Sequence, residues 1–154
     1  MNDIMSNLKT EIEIQKQDNA HNSKSNLYMF QFSFLYGNEI YLPYSAGMLW
    51  SYARTIQDIK NNIENKGFRI LREEPEAIVG NLENSDIAAF STYVWNFEMS
   101  VTVARIIKER FPKCLIVFGG PQVPDPERLE DFFEKYPFID ITVHGEGEIT
   151  FSEI

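Results

Sequence analysis

The sequence is short of several residue types on which common sites depend. It has one cysteine, Cys114, and two histidines, so an internal disulfide and a Cys-x-x-Cys metal or redox motif are both excluded. No apolar run approaches the roughly 20 residues that span a bilayer, and the N-terminus has no signal-peptide core. Cys114 lies within an apolar run, which predicts a buried thiol rather than a nucleophile. We expect a soluble, cytoplasmic protein without a membrane partner.

Basic charge is also scarce. The sequence has 14 Lys and Arg residues against 23 Asp and Glu residues, which gives a formal net charge of −9. Such a balance offers no electrostatic footprint for nucleic-acid phosphates or anionic lipid. The acidic residues are scattered over the presumed helix faces, where solubility alone accounts for them. We therefore expect no nucleic-acid partner.

Familiar catalytic signatures are missing as well. No G-x-G-x-x-G follows the first predicted strand, and the chain has neither a P-loop nor a G-x-S-x-G elbow. Ser91 and Thr92 stand where a receiver domain needs its phospho-accepting aspartate. His144 is the one histidine after residue 26, so a Ser/His pair or a His-rich metal site has no material. We expect His144 to make local hydrogen bonds rather than to ligate a metal, and we expect no metal ligands.

Two regions of different composition are present. Residues 1–26 are polar and lack aromatic residues, which predicts a flexible leader with a short helix at Leu8–Gln15. From Leu27 the chain becomes apolar and aromatic, and residues 27–154 have the length of one domain.

Strands and helices alternate through the second region. Apolar runs predict strands at Leu27–Leu35, Phe68–Leu71, Asp86–Phe90, Cys114–Phe118 and Phe138–Val143. Apolar periodicity predicts a first helix from Ser45, its N-cap, to about Asn65, with Gly67 as its stop. Asn96 is the expected N-cap of a second long helix at Phe97–Arg110. Further helices are predicted within Glu73–Asn84, at Pro126–Tyr136 and from Glu148. This rhythm predicts an α/β fold: a flavodoxin-like or Rossmann-like parallel sheet of order 2-1-3-4-5 with helices on both faces.

Four loops carry most of the unusual residues. Glycines, prolines, hydroxyls and aromatics concentrate in residues 36–47, 91–96, 119–124 and 144–148, whereas the link after the second strand has few. In open α/β sheets, ligands bind beyond the carboxyl ends of the strands where the strand order reverses, here between strands one and three. The asymmetry therefore predicts a ligand site at this edge.

The chemistry of these loops narrows the ligand. Gly119-Gly120 would let a phosphate or a flat ring approach the backbone, although a tight turn without a ligand explains it equally well. Ser91 and Thr92 can donate hydrogen bonds to a ligand or to a turn. The carboxylates of the Gly145–Glu148 loop suit ribose hydroxyls, or a helix start without any ligand. Together the loops suggest a cofactor with a nucleotide arm.

Three motifs then carry a family resemblance. Tyr41-Leu-Pro-Tyr-Ser-Ala-Gly47, Gly119-Gly-Pro-Gln122 and His144-Gly-Glu-Gly-Glu148 resemble the N-terminal cobalamin-binding domain of cobalamin-dependent radical SAM enzymes, over residues 27–154. The resemblance implies a Rossmann-like domain that holds cobalamin with its nucleotide tail extended into the sheet. By this analogy the cofactor-binding residues are Pro43, Tyr44, Ser45, Ala46, Gly47, Ser91, Thr92, Tyr93, Gly119, Gly120, Pro121, Gln122, Gly145, Glu146, Gly147 and Glu148.

The resemblance also implies what this chain lacks. The D-x-H-x-x-G motif of cobalamin mutases is absent, which implies base-off cobalamin with no histidine ligand from the protein. The iron–sulfur cluster and S-adenosylmethionine would belong to a C-terminal radical SAM domain, the expected partner, because one cysteine cannot hold a cluster. The chain is then a fragment, non-catalytic by itself, of a methyltransferase or a related radical enzyme.

Two alternatives remain open. One is a degenerate domain of the same fold that binds no cofactor and docks against a partner. The other is a flavin- or nucleotide-binding flavodoxin-like protein, which the lack of a Ser/Thr-rich phosphate loop after strand one disfavours.

Overall fold

The structure is a computed structural model that describes residues 24–154. Most of the expected leader, including the helix proposed at Leu8–Gln15, lies outside the described residues. The first strand begins at Ser25, two residues before its expected start at Leu27.

Seven strands and six α-helices make up the described part of the chain. The strands are β1 (Ser25–Phe30), β2 (Leu35–Tyr36), β3 (Glu39–Ile40), β4 (Ile63–Arg69), β5 (Ile87–Ser91), β6 (Leu115–Gly119) and β7 (Ile141–Val143). The helices are α1 (Tyr44–Ala53), α2 (Gln57–Asn62), α3 (Pro75–Gly80), α4 (Phe97–Arg110), α5 (Leu129–Lys135), preceded by a 3₁₀ turn at Pro126–Arg128, and α6 (Glu148–Glu153). None of these helices has the length and apolar character needed to cross a bilayer.

The main sheet has the predicted topology. Its strands lie in the order β4-β1-β5-β6-β7, and every neighbouring pair is parallel. Numbered by their order along the chain within this sheet, the strands read 2-1-3-4-5, so the expected flavodoxin-like order is confirmed. The order reverses between β1 and β5, and the loops that follow these two strands therefore diverge at that point.

Each face of the sheet is covered by helices. Phe30, Phe90 and Phe118 stack side by side on one face, with ring centroids 4.5 and 4.9 Å apart, under α3, α4 and α5. The other face carries smaller residues, among them Met29 and Ala89, and is covered by α1 and α6. Because side chains alternate between faces along a strand, one set of strands builds two different layers.

The second strand of the sheet lies earlier in the chain than the sequence predicts. The expected helix from Ser45 to Asn65 divides into α1 and α2, and β4 begins directly afterwards at Ile63. The expected second strand at Phe68–Leu71 therefore exists at the sheet edge, but it starts five residues earlier and ends at Arg69. The role of Gly67 as a helix stop is wrong, because Gly67 lies within the strand. Gly67 instead forms a bulge within β4 at φ +112°, where its N–H donates to Asn65 Oδ1 at 2.7 Å.

The first strand is shorter than expected at its carboxyl end. β1 stops at Phe30, and the chain then forms the two-stranded hairpin β2–β3 around the predicted turn at Gly37-Asn38. A glycine at φ +62° suits a two-residue hairpin turn, which needs positive φ. The hairpin stands at the same edge of the sheet as the candidate loops.

Candidate functional site

A cavity of about 340 Å³ lies between the sheet and the helices α1 and α6, at the carboxyl ends of the strands. We call it the slot, and its walls come from β1, β5, β6, β7, α1, α6 and the loops that join them. Its volume is within the range of about 300–1,000 Å³ found for small-molecule sites. The slot therefore occupies the edge at which the sequence predicts a ligand.

The floor of the slot exists because the two central strands carry small residues there. Ala89 and Ser91 on β5, and Gly119 on β6, line the slot at alternate positions of their strands. The intervening positions, Phe90 and Phe118, carry large side chains into the opposite face. The alternation of small and large residues leaves the helices α1 and α6 standing off from the sheet, and this separation makes the slot.

The interior of the slot is apolar. Met29, Val117 and Val143 complete its floor, while Leu49 of α1 and Phe151 of α6 contribute from the helix side. No sequence motif marks these residues as site residues, although the alternation along the predicted strands could have placed Ala89 and Val117 on a common face. The helix contribution could be found only from the packing.

One hydroxyl in the slot has no partner in the described part of the chain. Ser91 is 8% exposed, and its carbonyl accepts a hydrogen bond from Asn96 Nδ2 at 3.0 Å. Its Oγ lines the slot without a protein hydrogen bond. The atom is not among the buried polar atoms that lack a partner, so it is open to the slot and can bind a polar group of a ligand.

The Thr92 hydroxyl, in contrast, is bonded to the backbone of the neighbouring strand. Its N–H and its Oγ1 both donate to the Gly119 carbonyl, at 2.7 and 2.8 Å, and its side chain is fully buried away from the slot. This pair of bonds ties the end of β5 to the end of β6. Thr92 therefore holds the floor in place and does not present its hydroxyl to the slot.

The neighbouring residues Gly119 and Gly120 have different structural roles. An added Cβ at Gly119 would meet Val143 at 3.6 Å or more, which is ordinary contact, and Gly119 lines the slot. At Gly120, which has φ +98°, the same atom would come 2.6 Å from the Thr92 carbonyl oxygen. Gly120 is thus required by the fold, whereas Gly119 leaves space for a ligand.

Asn96 fixes the loop after β5. Its Oδ1 accepts from the Tyr93 N–H at 2.7 Å, and its Nδ2 donates to the carbonyls of Ser91 and Phe32. The residue does occupy the N-cap position of α4, but its side chain makes no capping hydrogen bond. The expected side-chain cap is therefore wrong, because the amide is turned back toward the ends of β1 and β5.

Ser45 also differs from its expected role. Pro43 occupies the N-cap position of α1, and Ser45 lies within the helix. The Ser45 Oγ is 2.5 Å from Tyr93 Oη, and the Tyr93 ring stacks on Trp95 with centroids 4.7 Å apart. This hydrogen bond joins the start of α1 to the loop after β5, at the edge of the slot.

The Gly-Glu loop closes the slot on the β7 side. Gly145 and Gly147 adopt left-handed φ angles of +74° and +80°, and α6 starts at Glu148. A Cβ at Gly147 would come 3.2 Å from Val143 Cγ1, so the loop lies close against the floor. Glu146 and Glu148 line the slot from this loop, near the first turn of α6.

The structure brings most of the predicted site residues together. The slot is lined by Tyr44, Ser45, Ala46, Ser91, Tyr93, Gly119, Gly120, Pro121, Gly145, Glu146, Gly147 and Glu148. Pro43, Gly47, Thr92 and Gln122 are not among its lining residues. His144 is also outside the slot: it is exposed, with its Nε2 3.5 Å from Thr142 Oγ1.

Exposed apolar side chains occur in the chain next to residues that line the slot, such as Tyr44, which lines it, and Val94 and Trp95, which follow Tyr93. Leu42, Tyr44 and Val94 are 82, 74 and 75% exposed, and Trp95 is about half exposed. We call these four residues the apolar rim. Leu42 precedes α1, Tyr44 is its first residue, and Val94 and Trp95 lie in the loop after β5. These connections follow β1 and β5, between which the strand order reverses. Exposed apolar side chains beside a cavity are typical of a surface that another group covers.

Cys114 takes no part in the slot. It is buried in the opposite face of the sheet, as the sequence predicts, with Sγ 3.3 Å from Ser85 Oγ. Burial raises the pKa of this thiol above its ordinary value, against the opposing effect of the Ser85 hydrogen bond. A buried, protonated thiol is a poor nucleophile.

The chain is similar to part of two known methyltransferases. No family model matches the chain. The chain is 40% identical over 114 residues to the cobalamin-dependent radical SAM methyltransferase TokK of Streptomyces tokunonensis, and equally to the 2-(S-pantetheinyl)-carbapenam-3-carboxylate methyltransferase of Streptantibioticus cattleyicolor. Each match covers 74% of this chain but only 16% of the relative. The resemblance carried by the loop motifs is confirmed, since the chain is homologous to a segment of cobalamin-dependent radical SAM methyltransferases.

Proposed function

We propose that the chain is a cobalamin-binding module of a larger radical SAM enzyme, and that the slot receives the nucleotide tail of the cofactor. The observation that carries the proposal is the slot itself, at the strand-order reversal, in a chain homologous to part of cobalamin-dependent enzymes. By itself the module is a carrier. Cobalamin, when bound, supplies a cobalt centre that can carry a methyl group.

The residues of the slot fit a nucleotide tail. Ala89 and Gly119 form a cradle that larger side chains would fill, and Ser91 lines the slot with a hydroxyl that has no protein partner among the described residues. A cavity of about 340 Å³ suits a nucleoside-sized group, whereas the much larger corrin ring would have to remain outside, above the rim. The tail and the ring would thus be bound by different parts of the site.

The chain's polar groups have distinct positions around this cavity. Glu146 and Glu148 offer carboxylate acceptors near the mouth, which suit ribose hydroxyls and disfavour a closely bound phosphate. Ser91 Oγ can donate to, or accept from, a polar atom of the base. The apolar rim gives a large flat ring an apolar surface on which to rest.

We further infer that the cofactor binds base-off, without a histidine ligand from this chain. No histidine is among the residues that line the slot, and His144 is exposed outside it. The lower face of the ring would then meet side chains of the rim, not an imidazole. Iron–sulfur and S-adenosylmethionine chemistry would belong to the remaining length of proteins such as TokK, of which this chain spans 16%.

A spectroscopic titration tests the proposal directly. Aquocobalamin is added to the purified 154-residue protein, and retention on gel filtration and the visible spectrum are followed. We expect saturable binding at one site per chain, with the absorption change of a displaced lower base. Absence of saturable binding would refute the proposal, and a co-purifying fluorescent flavin would favour the flavodoxin-like alternative.

Substitutions at Gly119 make the test specific to the slot. An added Cβ at Gly119 meets Val143 only at ordinary contact distance, and the methyl groups of a valine would occupy the cavity. Gly119→Val should therefore keep the fold and weaken binding at least about 10-fold. The matched control is Gly80→Val, at the exposed end of α3, where nothing lies within 4 Å of an added Cβ. Equal affinities of the two variants would place the ligand elsewhere.

A further inference from the structure

Polar groups are unevenly distributed along the slot. The hydroxyl of Ser91 and the carboxylates of the Gly-Glu loop lie toward the carboxyl ends of the strands. Ala89 and Val117 lie two residues earlier on β5 and β6, which is about 6–7 Å deeper. The entrance of the slot can therefore form hydrogen bonds, and its inner end cannot.

The residues that line the inner end of the slot all carry apolar side chains. One polar side chain contacts them: Asn65 Nδ2 lies 3.7 Å from Met29 Sδ, but Asn65 does not line the slot. Met29 of β1 and Val117 of β6 flank Ala89, and all three are at least 94% buried, with exposures of 1, 2 and 6%. Leu49 and Phe151 cover them from α1 and α6. A polar ligand atom placed there would lose its water and find no polar side chain among the residues that line the inner end.

We propose that the slot selects the cofactor by its lower base, and that it accepts benzimidazole bases and rejects purines. This inference rests on the proposed function. A benzimidazole carries its one free ring nitrogen in the ring that bears the sugar, within the reach of a hydroxyl at the entrance, and its far edge is hydrocarbon. Adenine carries an amino group and a ring nitrogen at its far edge, which would face Ala89 and Val117.

The expected discrimination follows from the cost of burying unpaired polar groups. Each unsatisfied group costs a factor of about 5–150 in affinity, so adenine should bind at least about 10-fold more weakly than dimethylbenzimidazole. The two methyl groups of dimethylbenzimidazole add apolar area, and the unsubstituted benzimidazole should bind only a few-fold more weakly. The selectivity is thus against polar atoms rather than against size.

Four pure corrinoids test the inference on the full chain. They are cobalamin, the benzimidazole and adenine cobamides, and cobinamide, which has no nucleotide. We expect dissociation constants to rise in the order cobalamin, benzimidazole cobamide, adenine cobamide. Equal affinity for cobalamin and the adenine cobamide would overturn the base selection alone. Equal affinity for cobalamin and cobinamide would also overturn the assignment of the nucleotide tail to the slot. Failure of all four to bind would refute the proposed function as well.

Two variants relate the selectivity to the inner end of the slot. Val117→Thr and Ala89→Ser each place a hydroxyl there with little change of volume, and either should narrow the ratio between cobalamin and adenine cobamide several-fold. Val79→Thr is the matched control, because Val79 is about equally buried but lies on α3, which packs against the opposite face of the sheet. Using two slot variants guards against one of them failing to fold. An unchanged ratio in a folded slot variant would contradict the assignment.

Discussion

The backbone of Gly120 lies directly against the backbone of Thr92. A Cβ atom on Gly120 would come 2.6 Å from the Thr92 carbonyl oxygen and 3.0 Å from its nitrogen. These residues follow the central strands β6 and β5, so their contact sets how closely the two loops meet. The double-glycine motif thus combines a structural residue, Gly120, with a residue that leaves space, Gly119.

Replacement of Gly120 should destabilise the fold itself. Gly120→Ala combines a strained positive φ with a backbone clash, and we expect a loss of about 2–4 kcal/mol in the free energy of unfolding. Urea denaturation measures this loss. Gly37→Ala is the control, because Gly37 also has positive φ but nothing lies within 4 Å of its added Cβ. If both variants lose the same free energy of unfolding, the close contact with Thr92 does not contribute to the requirement for glycine at position 120.

The neighbouring alanines of β5 should respond differently to the same added volume. Ala88 faces the packed phenylalanine layer, so Ala88→Val should cost about 1–3 kcal/mol through overpacking. Ala89 faces the slot, so Ala89→Val should cost less than about 1 kcal/mol but weaken cobalamin binding. Thermal or urea unfolding, together with the cobalamin titration, measures both effects. Equal destabilisation by the two substitutions would mean that the slot does not accommodate added volume.

Removal of the Ser91 hydroxyl should affect binding but not folding. The Oγ has no protein partner among the described residues, so Ser91→Ala should leave the free energy of unfolding within about 0.5 kcal/mol of its original value. Loss of one ligand hydrogen bond should weaken cobalamin binding about 3–10-fold. Calorimetry on the unliganded protein and spectroscopic titration separate the two effects. A strongly destabilised variant would show that the hydroxyl is structural.

Asn96 should be among the least replaceable polar residues of the site. Asn96→Ala would leave the Tyr93 N–H and the carbonyls of Ser91 and Phe32 without their partner, in a region where Asn96 is 1% exposed. We expect a loss of about 2–4 kcal/mol in urea unfolding. Asn61→Ala, on the exposed surface of α2, is the control and should change stability by less than about 0.5 kcal/mol. Comparable stability of the two variants would contradict the role of Asn96.

Because the pKa of the Cys114 thiol is raised in the folded protein, we expect the stability to depend on pH in the alkaline range. Burial raises the pKa of the folded thiol, so the unfolded chain loses its thiol proton first, at a pKa of about 8.5. The contribution of the protonated thiol to the free energy of unfolding is fully present below that pH, and it is lost as the pH rises through the pKa of the folded state. Urea unfolding at pH 7.5 and 9.5 should therefore show a steeper loss for the original protein than for Cys114→Ala. Equal slopes would mean that the thiol ionises alike in both states.

Within residues 27–154, the sequence predicted the sheet order, the four candidate loops and most of the residues that line the slot. These depend on local signals: apolar runs bounded by glycine or proline, and the rule that ligands bind where parallel strand order reverses. The start of β4 at Ile63 did not follow from local signals, because pairing with β1 overrode the helical periodicity before it.

The tertiary structure decided which of the loop residues face the slot. Ser91 and Thr92 are adjacent hydroxyl residues, and only the contact of Thr92 with Gly119 shows that one hydroxyl is used by the fold and the other is free. The inner wall was likewise decided by packing, since Leu49 and Phe151 reach it from helices distant in sequence. A linear sequence lists the groups that can bind a ligand, but the long-range contacts select those that remain available.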